Sequence, residues 1–145
     1  MTLVPSSFYD ESCAREYLAQ VVDISSDTEV LSEYLPQYDA YFIYAGPEEP
    51  ALLRVLRSLM TIPEYNKLLC DWDGSTLSLA IAQGKSLMLS NTYRAEDFVT
   101  VMYFVLMAMK SLQLNPELST LCFLSDLSTE NQISLYHYFK AVRLL

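Results

Sequence analysis

The hydrophobic and polar positions of this chain fall into two successive runs of strands and helices. In the second run, an apolar segment at Leu68-Leu69-Cys70, an alternating one at Leu77, Leu79 and Ile81, and a third at Leu87-Met88-Leu89 are separated by Asp73-Gly74 and Gln83-Gly84. Asp-Gly between such segments is typical of a β-hairpin, so the segments predict a three-stranded antiparallel meander. A long apolar helix over 95–112, a buried strand over 121–124 and a last helix over about 129–144 follow.

The first run is shorter and predicts strand, helix, strand, strand, helix. Asp10 suits the N-cap of a helix over 11–22, whose apolar residues recur at helical spacing. Strands are expected at 30–35 and 41–45. The helix after them is expected to carry Pro47 in its first turn, where the missing amide hydrogen costs nothing.

These two runs predict an α/β protein of the α+β kind. The first forms a partial lobe over 1–62, and the second a lobe over 63–145, in which the antiparallel meander is followed by helix, strand and helix. At 145 residues and 52% hydrophobic content, the chain has enough apolar side chains for one compact unit with a sizeable core.

Charge and cysteine content restrict the classes of partner. The formal net charge is −9, which disfavours nucleic acid and anionic membrane surfaces. The three cysteines are far apart and form no CxxC pair, so we expect reduced thiols. The N-terminus lacks the basic and long apolar regions of a signal peptide, and the most apolar window is shorter than a membrane span. We therefore expect a cytoplasmic protein.

Several short motifs, taken in order, carry a resemblance to a known family. The motifs are Leu3-Val4-Pro5 with Tyr9-Asp10-Glu11, Asp39-Ala40-Tyr41-Phe42-Ile43-Tyr44-Ala45 with Pro47-Glu48, and Gly84-Lys85-Ser86-Leu87 with Glu96-Asp97-Phe98 and Leu112-Gln113-Leu114-Asn115-Pro116. In these motifs the chain resembles an uncharacterised family of bacterial cytosolic proteins named only as a domain of unknown function. The resemblance implies the actin-like fold of sugar kinases, heat-shock ATPases and actin, with a ribonuclease-H-like second lobe and a shortened chain.

The segment from Asp71 to Thr76 is the candidate site for chemistry. The resemblance implies that Asp71 and Asp73 could organise Mg²⁺, with Gly74, Ser75 and Thr76 near phosphate. An apolar strand followed by Asp-x-Asp-Gly also resembles haloacid dehalogenases, but a strand follows here instead of their helix. The alternative is that Asp73-Gly74 is only a hairpin turn, with Asp71 at a strand edge.

No other catalytic or metal site is indicated. The chain has one histidine, His137, and no recognisable nucleophile motif accompanies it. No two histidine or cysteine residues have the spacing typical of metal ligands. We therefore name no catalytic residue and no metal ligand set, and no cofactor unless Mg-ATP binds at Asp71 and Asp73.

Two apolar or aromatic segments are candidate interfaces for a protein partner or for self-association. Between Phe98 and Met109 the long helix has almost no polar residue, so it is expected to be buried on two sides or to form an interface. Tyrosine is common at interfaces, and the chain contains eleven. The candidate interface residues are Phe98, Met102, Tyr103, Val105, Met109, Tyr41 and Tyr44.

The sequence therefore supports two functional hypotheses. The first is a non-catalytic protein-interaction module on a degenerate actin-like fold, with homodimerisation as one form. The second is a nucleotide-binding or phosphoryl-transfer domain that uses Asp71 and Asp73 with Mg²⁺.

Overall fold

The chain forms two β-sheets and four α-helices in the computed structural model, which describes residues 1–145. One sheet has three strands in the order β1-β3-β2, and the other has five in the order β6-β5-β4-β7-β8. The strands are β1 (Thr2–Pro5), β2 (Val30–Leu35), β3 (Ala40–Ala45), β4 (Asn66–Trp72), β5 (Thr76–Gln83), β6 (Ser86–Arg94), β7 (Thr120–Phe123) and β8 (Ala141–Leu144). The helices are α1 (Ala14–Ala19), α2 (Ala51–Leu59), α3 (Phe98–Ser111) and α4 (Thr129–Tyr136).

Internal contacts divide the chain into two units, Met1–Leu53 and Arg54–Leu145. The lobe boundary predicted after residue 62 stays a prediction.

The first unit is built on β3, which pairs antiparallel with β1 on one side and with β2 on the other. Leu18 of α1 is fully buried in a cluster with Val4 and Ile43, so α1 covers one face of this sheet. Asp10 accepts a hydrogen bond from the Ser12 amide at 3.0 Å, as predicted for an N-cap.

The helix that follows Asp10 is much shorter than predicted. It begins as a 3₁₀ turn at Glu11–Cys13, continues as α1 and ends at Ala19 rather than at residue 22. Val21, which follows the buried Leu18 at a spacing of three, is 57% exposed. Two consecutive β-branched valines, Val21 and Val22, are poor helix formers, which is consistent with the early end.

α2 begins after Pro50 and not with Pro47 in its first turn. A residue that precedes a proline is disfavoured in the helical region, so Glu49 resists helix formation until the second proline has passed. Its apolar residues Leu52, Val55, Leu56 and Leu59 recur at helical spacing and are buried.

The second unit contains the predicted meander. β5 pairs antiparallel with β4 and with β6, through the turns at Asp73-Gly74 and Gln83-Gly84. Gly74 has a φ of +97°, a conformation that side chains rarely adopt, so the glycine is required at this turn. β7 then pairs parallel with β4 on its other side.

The C-terminal helix was predicted to reach residue 144, and this is wrong. α4 ends at Tyr136, and Ala141–Leu144 forms β8, which pairs parallel with β7. The side of β7 that faces away from β4 carries backbone groups that need partners, and β8 supplies them. Arg143 also forms a two-pronged ion pair with Glu64, with nitrogen–oxygen distances of 3.1 and 2.5 Å. Of the apolar residues in this segment, Leu135 and Phe139 are buried, whereas Ile133 and Tyr136 are more than half exposed.

α3 crosses from β6 to β7 and packs on the sheet by one side only. Asp97 caps it by accepting a hydrogen bond from the Thr100 amide at 2.8 Å. Its buried side chains join apolar residues of β4, β5 and β7 in one core cluster. Burial on two sides is not observed, because Val99 is 78% exposed and Tyr103 59%. The buried residues of α3 are Val101, Val105, Ala108 and Met109.

None of the four helices has both the length and the apolar content required to cross a lipid bilayer.

The two methionines of α3 provide a matched test of this packing. Met109 is fully buried and Met107 is 41% exposed. We expect Met109→Ala to lower the free energy of unfolding by about 2–5 kcal/mol, because it leaves a cavity in the core. Met107→Ala should change it by less than about 0.5 kcal/mol. Urea unfolding followed by the fluorescence of Trp72 measures both, and equal losses would contradict the assigned orientation of α3.

Candidate functional site

The hairpin turn between β4 and β5 is organised by the carboxylate of Asp73. Its Oδ1 accepts hydrogen bonds from the Ser75 amide at 2.9 Å, the Thr76 amide at 2.7 Å and the Ser75 hydroxyl at 3.1 Å. The amide hydrogen bonds, that of Ser75 first, hold the pKa of Asp73 below its usual range. The amides of Ser75 and Thr76 were expected near phosphate. They instead donate to a carboxylate of the chain itself, that of Asp73.

Asp71 lies near the end of β4 and forms an ion pair with Arg54. Its Oδ2 lies 3.0 Å from Nη2 of Arg54, and the side chain of Asp71 is only 12% exposed, against 59% for Arg54. A metal ion at Asp71 would have to compete with this guanidinium. The structure thus gives Asp71 and Asp73 separate partners, Arg54 for one and the turn for the other, and their roles in binding stay predictions.

An open cleft of about 470 Å³ lies beside Asp71. It is at the carboxyl ends of β4 and β7, neighbouring parallel strands between which the chain order of the sheet reverses. Ligands of open α/β sheets bind at such a point. The lining residues are Arg54, Arg57, Ser58, Asp71 and Leu124.

Sequence analysis missed the part of this cleft that comes from α2. Arg54 was not among the candidate site residues. The ion pair joins residues 17 positions apart on different elements, and neither local spacing nor a motif marks it. Only the placement of α2 near the end of β4 brings these charges together.

The structure contains no group of three or more histidine, cysteine or acidic residues that could hold a metal ion. Two of the three cysteines, Cys70 and Cys122, are fully buried. Burial raises the pKa of both thiols, so neither is a ready nucleophile.

The candidate interface tyrosines of β3 do not share a surface. Tyr41 and Tyr44 are separated by three positions, so they project from opposite faces of the strand. Tyr41 stacks on Tyr9 with ring centroids 3.8 Å apart, whereas Tyr44 lies against Phe42 at 5.9 Å. The two do not form one tyrosine-rich patch.

Four of the five candidate interface residues in α3 face the core. Val105 and Met109 are fully buried, so they cannot belong to an exposed interface. Phe98 and Met102 are half-buried and pack against the core cluster. Only Tyr103 is exposed. The assignment failed because a helix that is apolar on all sides has no polar face to mark its outward direction.

The outward side of α3 is an apolar row that sequence analysis did not single out. Val99, Tyr103 and Met107 are 78%, 59% and 41% exposed, and their spacing of four places them on one helix face. We call these three residues the α3 row. No charged residue occurs between Phe98 and Met109, whereas exposed Glu96 precedes the row and exposed Lys110 follows it.

Removal of the Asp73 carboxylate tests its part in the turn. Asp73→Ala should lower the free energy of unfolding by about 1 kcal/mol at pH 7, because the Ser75 and Thr76 amides lose their acceptor. The pKa of Asp73 is depressed in the folded chain, so this stabilisation is complete above the ordinary value of 3.8 and is lost as the pH falls through the folded value.

Denaturant unfolding at pH 7 and pH 3 measures this effect. The difference between the wild type and Asp73→Ala should shrink at the lower pH. Asp126→Ala serves as the control, because Asp126 is exposed and its carboxylate has no hydrogen bond in the structure. A pH-independent difference would contradict the role assigned to the carboxylate.

Comparison with solved structures identifies the fold. A crystal structure from Bacteroides thetaiotaomicron VPI-5482, of a protein described as having an actin-like ATPase fold and unknown function, matches with a TM-score of 0.76 and 15% sequence identity. The match covers 99% of this chain and 64% of the solved one, so this chain spans less than two thirds of its length. The predicted actin-like fold is confirmed. At this identity the similarity concerns the fold alone.

Comparison of the sequence with curated proteins yields no significant match. The family model described as "Protein of unknown function (DUF3822)" matches residues 47–142, which is most of the chain. This confirms the resemblance drawn from the short motifs, and the chain belongs to the DUF3822 family.

Proposed function

We propose that this chain is a non-catalytic protein-interaction module on an actin-like fold, and that it binds its partner through the α3 row. The observation that carries the proposal is the exposure of Val99, Tyr103 and Met107 on a helix with no charged residue between Phe98 and Met109. An apolar surface of this kind is more stable when a partner covers it.

The contacts of the candidate catalytic groups support the non-catalytic part of the proposal. Asp73 uses the amides that would hold a phosphate, and Asp71 is paired with Arg54. Mg-ATP at these residues would have to break both sets of contacts. These contacts weigh against the nucleotide and metal that the fold suggests, and under the proposal the module needs no cofactor.

One observation favours the second candidate, a nucleotide-binding or phosphoryl-transfer domain using Asp71 and Asp73 with Mg²⁺. The cleft beside Asp71 lies where the strand order of the sheet reverses, and two arginines line it. Arginine suits phosphate because its planar group donates several hydrogen bonds. The pairing of Arg54 with Asp71 weighs against this candidate.

Thermal unfolding in the presence of Mg-ATP separates the two candidates. Under the proposal, millimolar Mg-ATP leaves Tm unchanged. A ligand at one hundred times its dissociation constant would stabilise the fold by about 2.7 kcal/mol, which is several degrees in Tm. A rise of that size in the wild type, absent from Asp71→Ala, would refute the non-catalytic proposal.

Site-specific crosslinking tests the interaction surface directly. A photo-crosslinking amino acid at position 103 should give a protein adduct in the cells that make the chain, because the α3 row is in contact with its partner. Position 133 is the matched control, since Ile133 is 57% exposed on α4. Replacing Val99 and Met107 by serine should remove the adduct. Absence of any adduct at position 103, or equal adducts at 103 and 133, would refute the α3 row as the binding surface.

A further inference from the structure

We infer that the partner of the α3 row is a second copy of this chain, with two α3 helices packed antiparallel about a two-fold axis at Tyr103. This inference rests on the proposed function and specifies its partner. It follows from how the charged and apolar positions of the outward face are distributed about Tyr103.

The outward face of α3 is complementary to itself under such a rotation. Val99 and Met107 each lie four residues from Tyr103 on α3. Lys110 follows the row on the helix, and the exposed acids Glu96 and Asp97 stand just before the first residue of the helix, Phe98. A two-fold axis at Tyr103 therefore places Val99 of one copy against Met107 of the other. It also brings the acidic end of each helix, which includes Glu96, beside Lys110 of the other copy. An interface of this isologous kind requires a surface that matches itself in this way.

Electrostatics favours the antiparallel arrangement over other contacts between copies. Each chain has a net charge of −9, so two copies repel each other over most of their surfaces. The uncharged stretch between Phe98 and Met109 lets them approach without bringing like charges together. At each end of the contact, an acidic group of one copy meets a basic group of the other. The dipoles of two antiparallel helices also attract each other, because the positive end of each helix lies beside the negative end of the other.

Arg94 and Asp97 are the other charged groups near the end of this contact. The carboxylate of Asp97 accepts a hydrogen bond from the Thr100 amide of its own helix. The Nε and Nη2 of Arg94 donate to Oε1 of Glu96 at 3.2 and 2.8 Å, and the side chains of Arg94 and Glu96 are both well exposed. Arg94 occupies one oxygen of Glu96, so Lys110 of the second copy has the other oxygen available.

The size of the contact predicts a weak association. The 14 residues of α3 span about 21 Å. A single helix face of this length is smaller than the ~800 Å² per partner that specific, stable interfaces bury. We therefore expect a dissociation constant of about 1 μM or weaker, so association has to be measured up to high protein concentration.

Sedimentation equilibrium of the purified chain, from about 1 μM to 1 mM, gives the first test. The wild type should approach the mass of two chains. Tyr103→Glu should remain a single chain because it places two carboxylates on the axis, while the control Ile133→Glu should behave as the wild type. A wild type of one-chain mass throughout, or equal loss in the control, would overturn the inference.

Charge reversal tests the two-fold arrangement itself. Glu96→Lys and Lys110→Glu should each weaken association about tenfold, because like charges then meet at both ends. The double variant should regain most of the wild-type affinity, since the charges are exchanged rather than lost. Circular dichroism and thermal unfolding check that each variant is folded. A double variant as weak as the single ones would overturn the antiparallel arrangement.

The failure of this inference differs from the failure of the proposed function. If the crosslinked adduct at position 103 joins the chain to a different protein and the purified chain stays monomeric, the second copy is the wrong partner and the α3 row remains a binding surface. If position 103 gives no adduct, the interaction surface itself is wrong.

Discussion

The burial of one side of α3 is the constraint on which the second unit depends. The meander of β4, β5 and β6 leaves β4 with one unpaired side, and β7 can pair there in parallel only through a crossover connection. α3 is that crossover, held on the sheet by buried residues such as Val105 and Met109. With β7 beside β4, β8 has an edge to join, and the carboxyl ends of two parallel strands meet next to Asp71.

The same packing determines what the polar groups at that end of the sheet can do. Asp73 stands at a turn that needs an acceptor for its amides, and its carboxylate provides one. Asp71 is mostly withdrawn from water, and Arg54 compensates its charge. A buried carboxylate without such a partner would be costly. Both acids are thus accounted for by the stability of the fold, although their order along the chain resembles that of phosphate-binding hairpins.

The apolar outer side of α3 is not required by the packing of the helix on the sheet. A crossover helix needs only one apolar side to cover a sheet, and the other side is normally polar. In this chain the outer side carries Val99, Tyr103 and Met107. None of these three residues belongs to the core cluster of the second unit, and the proposed interaction surface rests on them.

Local patterns in the sequence determined most of the elements and their order. The Asp-Gly turn, the apolar strand at 121–124 and the capping residues Asp10 and Asp97 act through nearby backbone groups, so a short window of sequence contains the information. The family was also identified from short motifs in the sequence, and the family model matches residues 47–142.

Tertiary structure alone decided three things. The C-terminal segment became β8 because β7 offered an open edge, which no local propensity reveals. Arg54 became the partner of Asp71 because α2 lies near the end of β4. The outward side of α3 was settled by which of its apolar residues the sheet covered, since a helix that is apolar all round has no preferred face of its own. In each case the deciding contact joins residues that are distant along the chain, so no local sequence pattern predicts it.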